Sequence, residues 1–272
     1  MCLLITLFRV VPGVPLMVAA NRDERLDRPA VSATVLRERD PRILGGRDLL
    51  AGGTWLAVSD LGVVAGLTNQ PTADGRDPAK RSRGELPLVC ARQPTARRAM
   101  DALTNDVDPA RYNPCWMLVG DQDALFSAGI GADSATPEIE QLGPGLHVLE
   151  NASLRAVSPK AAFVREVVEQ RLAEQPGAGP AAIAEILQTV LRDHRPAVPE
   201  PRTDATGRVW PASLTAACVH AEGYGTRSSA IITVPAAGRP TMLVADGRPC
   251  ETRMRDVSGL WTADPVGEPA GC

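Results

Sequence analysis

Cys2 has the most to explain, because its place next to the initiator methionine allows chemistry that an internal cysteine cannot do. Methionine aminopeptidase removes Met1 when the second side chain is small. The mature chain would then begin with a cysteine carrying both a thiol and a free α-amine. The unperturbed amine has a pKa of about 7.7–8.0 and the thiol about 8.5. At neutral pH part of the amine is unprotonated and can take the thiol's proton, directly or through water. Nucleophile and base then share one residue, which is the N-terminal version of nucleophile activation. Attack on an amide carbonyl is the expected use. Such a group still needs an orienting partner, an oxyanion stabiliser and a rigid strand beneath it. The competing readings of Cys2 are a buried apolar residue and a lipid anchor.

Asn21-Arg22-Asp23-Glu24 supplies candidates for the orienting partner. Residues 3–11 and 15–20 are apolar runs rich in strand formers, joined by Pro12-Gly13-Val14. They read as a β-hairpin buried on both faces. A turn at Pro12-Gly13 returns residues 20–24 to the side of Cys2. The Asp23 carboxylate could then hydrogen-bond the ammonium or thiol, and Arg22 could bind a substrate carboxylate or a neighbouring acid. The bland alternative is a polar hairpin end with surface ion pairs, each worth about 0–1 kcal/mol. Arg76, Lys80, Arg81 and Arg83 form a local basic cluster, either a solvated loop or a site for an anionic substrate group.

The elements that must position these residues follow from pattern. Residues 55–59 and 63–68 flank Asp60-Leu61-Gly62, and residues 115–119 and 124–128 flank a polar turn, which predicts two further hairpins. Ser158-Pro159 reads as an N-cap followed by proline at the first helical position. Phe163, Val167, Val168 and Leu172 then recur at helical spacing. A second helix carries Ile183, Ile186, Leu187, Val190 and Leu191 after a breaker run at 176–180. A third helical stretch within 85–103 is broken by Pro94. Residues 195–211 are expected to form a long loop, with strands at 216–220, 229–234 and 241–244. Hairpins early, helices midway and hairpins late predict an α+β protein with antiparallel sheet. Gly129-Ile130-Gly131 lacks the third glycine and the helix of a dinucleotide site.

Several function classes are set aside. A formal net charge of −3 implies no general attraction to nucleic acid or to an anionic membrane. Residues 1–20 make a poor signal peptide, since no positive charge precedes the apolar run and Arg9, Pro12 and Pro15 interrupt it. A lipoprotein cysteine would need such a peptide before it. No other segment reaches the roughly 20 apolar residues that span a bilayer. Six cysteines without C-x-x-C spacing favour a reducing compartment, and a cytoplasmic location is expected. His147, His194 and His220 lie far apart in the chain with no H-E-x-x-H pair, so neither a metal nor another cofactor is expected. No G-x-S-x-G elbow occurs. Cys90, Cys115 and Cys218 lack a papain-type frame and are expected to pack in the core.

Asn21-Arg22-Asp23-Glu24 matches the tetrapeptide that names the NRDE family, that of the transport and Golgi organisation proteins. Asp27-Arg28-Pro29, Leu44-Gly45-Gly46-Arg47-Asp48, Ala51-Gly52-Gly53-Thr54-Trp55-Leu56, Ala65-Gly66-Leu67-Thr68-Asn69 and Ser82-Arg83-Gly84 resemble its successive blocks, in order. Tyr224-Gly225-Thr226-Arg227-Ser228-Ser229 resembles a late block, and together these span roughly residues 1–245. The family in turn resembles N-terminal nucleophile hydrolases of the choloylglycine hydrolase and penicillin V acylase type. That implies one domain over residues 1–272, with 246–272 a C-terminal strand and tail, folded as a four-layer αββα sandwich of two antiparallel sheets. It also implies cleavage of a non-peptide amide C–N bond in a small molecule, by hydrolysis or acyl transfer; the near-balanced charge, for its part, implies no nucleic-acid or membrane partner.

The more remote likeness is carried by Cys2 as nucleophile, by Asp23 as the acid that positions it, by Asn69 and Asn151 as oxyanion stabilisers, and by Arg227 as the arginine those acylases keep near the thiol. Arg22, Arg47 and Trp55 are the expected substrate-binding residues. The acylases carry an arginine three residues before the aspartate, where this chain has Ala20. Arg22 would have to substitute, and strand alternation points it to the other face. Asn69 could instead cap a turn, Arg47 and Asp48 could form a salt bridge, and Gly52-Gly53 could be a tight turn or a close approach to a ligand. Haem handling is associated with some eukaryotic members, so a non-catalytic carrier of haem or another hydrophobic ligand is the alternative. Such a carrier needs an axial ligand.

Overall fold

The protein is described here from a computed structural model covering residues 2–73, 75–131, 135–203 and 209–262. Strands β1 (Cys2–Val11) and β2 (Val14–Arg25) form the opening hairpin, turning at Gly13 with φ +73°. β3 (Ala30–Arg37), β4 (Ile43–Asp48), β5 (Leu56–Ser59) and β6 (Val64–Asn69) follow. Helices α1 (Leu86–Ala91) and α2 (Ala96–Asp106) lead into β7 (Cys115–Gly120), β8 (Leu125–Ile130), β9 (Glu138–Leu142) and β10 (Gly145–Leu149). Then come α3 (Pro159–Glu174), α4 (Pro180–Leu191), the short strands β11 (Arg202–Thr203), β12 (Val209–Trp210) and β13 (His220–Ala221), and finally β14 (Tyr224–Val234), β15 (Thr241–Ala245) and β16 (Arg255–Asp256).

Two antiparallel sheets result. β3 to β9 run as a meander in sequence order. The other sheet has the order β10-β1-β2-β14-β15-β16, with β13 on β14, so the two ends of the chain meet at its centre. β1 shows why this sheet is buried on both faces. Leu4 and Phe8 enter the core between the sheets, whereas Leu3, Ile5 and Leu7 pack against α3 and α4. A third apolar cluster holds α1 and α2 on the outside of the meander. The layers are therefore αββα, as two doubly covered sheets require.

The helix starts follow their caps. The Ser158 hydroxyl accepts from the Ala161 amide at the start of α3, and that of Thr95 accepts from Arg98 beyond Pro94, which splits the helical stretch in two. The expected strand over 216–220 shrinks to its last residue and Ala221. Its backbone is satisfied elsewhere: the Ala217 carbonyl accepts from the Asn21 side chain at 2.8 Å, and the Cys218 amide donates to the Asp193 carbonyl at 2.8 Å. The expected loop at 195–211 contains the β11–β12 pair. Residues 263–272 of the expected tail lie outside the described residues, and β16 pairs with β15. Among the described residues no helix is long and apolar enough to cross a membrane.

Candidate active site

The opening hairpin sets Cys2 directly opposite Arg22. Directly opposed residues share a sheet face. Cys2 and Arg22 therefore stand on the inter-sheet side with Leu4 and Ala20, both core residues. This corrects the expectation for Arg22: alternation sets it on the cysteine's face and turns Asp23 away. The Arg22 guanidinium is 4% exposed, lies 4.4 Å over the Trp55 ring and pairs with Asp48 at 3.2 Å. Asp48 also takes Arg28 at 2.6 Å and does not pair with Arg47. Gly46 makes room for Trp55, since a Cβ there would come within 2.1 Å of the indole.

Asp23 faces the helix layer, where its carboxylate is enclosed. Oδ1 accepts from the Thr226 hydroxyl at 2.6 Å, and Oδ2 from the Lys160 ammonium at 3.3 Å. The Asp23 and Lys160 side chains are 0% and 2% exposed. The Tyr224 hydroxyl donates to the Asp23 carbonyl at 2.9 Å. This is a rigid anion beside the nucleophile. Burial pushes the Cys2 thiol up, the amino terminus pulls it down, and Asp23 raises it again against its own backbone amide and Arg22. The outcome is upward, so the resting sulfur is a thiol that needs a base.

Cys2 and Arg22 open onto a cleft of about 250 Å³, whose lining also includes Asp23. Its opposite wall includes Arg76, Arg81 and Arg83 from the basic cluster. Lys80 turns away and donates to the Tyr112 carbonyl at 3.3 Å. Arg81 is paired with Glu85, and Arg83 donates to the Pro114 carbonyl at 3.1 Å. Burial pushes the Arg83 guanidinium down from its ordinary value, the condition in which an arriving anion is most favoured.

This wall is fastened to the Trp55 loop by a glycine seam. The Thr54 amide donates to the Gly84 carbonyl at 2.9 Å, and a Cβ on Gly53 would sit 2.5 Å from Gly84 backbone. A Cβ on Gly84 would lie 2.8 Å from the Thr54 nitrogen. Gly53 thus serves the approach of backbone to backbone. Gly84→Ala is expected to lower stability by about 1–3 kcal/mol through overpacking, measured by urea unfolding against wild type.

Asn69 ends β6 and lines the cleft, and the Asn151 side-chain amide donates to its carbonyl. Asn69 also lines a second cavity of about 1010 Å³, and Asn151 lines that second cavity only. Trp210, Pro211, Leu214, Pro71 and Pro114 give that cavity apolar walls. The two cavities share Glu24, Asn69, Arg76 and Arg83.

Two expected residues stand elsewhere. Arg47 donates to the Val35 carbonyl at 3.3 Å, bracing β3 against β4. Arg227 occupies a bulge, because β2–β14 pairing jumps from Thr226 to Ser228. A bulge re-aims its extra residue, and this guanidinium donates to the carbonyls of Arg25 and Arg28, both at 3.0 Å. It braces the β2–β3 turn instead of approaching the thiol.

Lys160, Thr226 and Tyr224 were not anticipated as partners of Asp23. Lys160 left a trace in the sequence, being a cation in the first turn of a helix, where the dipole disfavours one. Cys90 and Cys115 are core residues as expected, with burial pushing Cys115 up to about 12. His194 and His220 do not stay apart: their rings meet edge to face at 4.5 Å.

Paired antiparallel sheets between helix layers, with a cysteine opening the central hairpin, define the fold of N-terminal nucleophile hydrolases. The chain superposes on penicillin V acylase from Agrobacterium tumefaciens with a TM-score of 0.51 and 9% identity, covering 95% of this chain and 98% of that one. It superposes on a variant of conjugated bile acid hydrolase from Clostridium perfringens with a TM-score of 0.53 and 7% identity, covering 94% and 96%. At these identities the likeness is one of fold.

Residues 1–244 match the model of the Transport and Golgi organisation 2 family, and the chain belongs to that family. The Transport and Golgi organization 2 homolog of Mus musculus is 30% identical over 251 residues, covering 83% of this chain and 84% of its own. The Homo sapiens homolog is 30% identical over 249 residues with the same coverage.

Proposed function

We propose that this chain, after removal of Met1, is an N-terminal cysteine amidohydrolase or acyltransferase acting on a small non-peptide amide that carries an anionic group. The observation that carries the reading is Cys2 on the cleft, opposite Arg22 and beside an immobilised Asp23. The Cys2 amine takes the thiol proton, and the sulfur attacks the amide carbonyl. Asn69 and the second amide hydrogen of Asn151 are the donors proposed for the oxyanion, the type of contact worth about 2.7–4 kcal/mol where one has been removed. The ammonium returns its proton to the departing amine, leaving a thioester on Cys2. Water or a second amine then attacks the thioester and regenerates the thiol. Asp23 holds the nucleophilic residue in place and does not itself transfer a proton.

The arginine wall supports an anionic substrate, and the larger apolar-walled cavity is suited to an acyl chain. The proposed setting is cytoplasmic, since the nucleophile must stay a reduced thiol and the five described cysteines are unpaired. A panel of amides in carboxylated and neutral pairs tests the assignment. Arg83→Met is expected to raise KM for the carboxylated members about tenfold to a hundredfold, the equivalent of one charge-assisted contact. Neutral members should be unaffected, and equal losses on both would remove the anion from the proposal.

The roomy apolar cavity also favours a second reading, a carrier for a hydrophobic ligand such as haem. Its described lining offers Tyr224 but no histidine, cysteine or methionine as an axial ligand. A Soret shift insensitive to alkylation of Cys2 would favour the carrier over the enzyme.

A further inference from the structure

The fold gathers four side chains that the cleft does not use. His194 follows α4, Cys218 and His220 flank the start of β13, and Cys250 lies in the turn after β15. One ligand atom from each falls within 4.8 Å of the others. They come from three segments separated by more than twenty residues, so no sequence motif announces them beyond the single Cys218-Val219-His220 pair.

We propose that His194, Cys218, His220 and Cys250 bind one zinc ion as a closed structural site that ties the end of α4 to β13 and to the turn after β15. Geometry argues for it first. A tetrahedral centre with Zn–S near 2.3 Å and Zn–N near 2.0–2.1 Å sets its sulfurs about 3.8 Å apart and each sulfur about 3.5 Å from a nitrogen. The Cys218 and Cys250 sulfurs are 3.8 Å apart, and Cys250 Sγ lies 3.4 Å from His220 Nε2. These are edges of such a tetrahedron. A disulfide would instead need the sulfurs at about 2.05 Å. A ligand set of two thiolates and two imidazoles is the Cys₂His₂ type that zinc occupies.

The segments are also held as a site requires. The Asp193 carbonyl, next to His194, accepts from the Cys218 amide at 2.8 Å. The Arg192 side chain donates to the Pro249 carbonyl at 2.9 Å, next to Cys250. His194, Cys218 and Cys250 thus lie at or next to residues tied to the end of α4, and His220 follows Cys218 by two residues. The set is half inside the protein, with Cys218 buried, Cys250 and His220 half-buried and His194 exposed. That leaves an approach for the ion from the surface. On binding, the two thiols release their protons to solvent and the imidazoles bind neutral.

The site sits behind Asp23, the residue proposed to position the nucleophile. The Val219 amide, between two of the ligands, donates to the Thr226 hydroxyl at 2.8 Å, and that hydroxyl donates to Asp23. Fixing residues 218–220 therefore fixes the donor to Asp23. The zinc proposal itself does not depend on the hydrolase reading.

The test uses tag-free full-length protein expressed with zinc and purified without chelators. Elemental analysis is expected to give one zinc per chain, and cobalt exchanged into the site should show the visible bands and sulfur-to-cobalt charge transfer of a tetrahedral thiolate centre. Cys218→Ser and Cys250→Ser should lose the metal. Should they fail to fold, His194→Ala at the exposed corner should still fold and release zinc to a chelator at least tenfold faster. Cys2→Ala should keep full zinc, which separates this site from the cleft. Protein that lacks zinc and whose two site thiols, Cys218 and Cys250, are freely alkylated, or whose peptide map shows a Cys218–Cys250 disulfide, overturns the proposal. So does zinc content unchanged in all three ligand variants.

Discussion

Cys2→Ala is expected to abolish turnover of any amide the protein cleaves, by about 10⁴-fold or more, while leaving the fold intact. Losing a nucleophile that works with its base as one unit removes most of the catalysis, as serine-protease triads show. The side chain is half-buried at a strand end, so its loss should cost little stability. Intact mass supplies the companion result, because the mature protein should lack Met1. Met1 retained in full would sink the mechanism, since the nitrogen would then be an amide with no basic lone pair. The pH profile has a definite sign. Burial and Asp23 hold the thiol protonated at rest, so activity follows the deprotonated amine. The rate should rise with pH and level off above the amine's pKa, ordinarily about 7.7–8.0. A rate that rises toward acid would contradict this assignment.

The second large effect concerns Lys160. Lys160→Met removes the ammonium from its enclosed pair with Asp23 and is expected to cost about 3–5 kcal/mol, the usual result of breaking an enclosed ion pair from one side. Asp23→Asn should cost a comparable amount by stranding the ammonium. The double variant should recover much of the loss, because neither charge then remains in the interior. Urea unfolding of the four proteins measures the coupling. Additive losses would mean that the two side chains do not depend on one another. Activity gives an independent readout: the double variant should fold yet stay slow, because the brace beside Cys2 is missing.

Much of the architecture was legible because it is local. Three hairpins follow from apolar runs around Gly13, Gly62 and residues 120–123, and two helices from Ser158-Pro159 and the stripe at 183–191. Strands β3, β4, β9 and β10 gave weaker patterns. β9 reads Glu-Ile-Glu-Gln-Leu and β10 begins with glycine, so neither has an unbroken apolar run. Their strand character comes from neighbours already in place. The hairpin argument set Asp23 beside Cys2, since both belong to one turn of chain, and it put Arg22 in reach as well.

What the amino-acid sequence determined alone, then, was the opening hairpin, an α+β class with antiparallel sheet and the position of a cysteine with a carboxylate near it, while the αββα layers were implied by the family resemblance. Its dense blocks of shared residues also carried the family. Tertiary structure decided the rest, because those contacts join residues more than a hundred positions apart. Lys160 reaches Asp23 across 137 residues and Thr226 across 203, by way of the pairing of β2 with β14. The bulge at Arg227 turned an expected catalytic arginine into a turn brace, and spacing cannot announce a bulge set by two strands from opposite ends of the chain. The gathering of His194, Cys218, His220 and Cys250 has the same origin, since three separate segments converge only once α4 has docked on the central sheet.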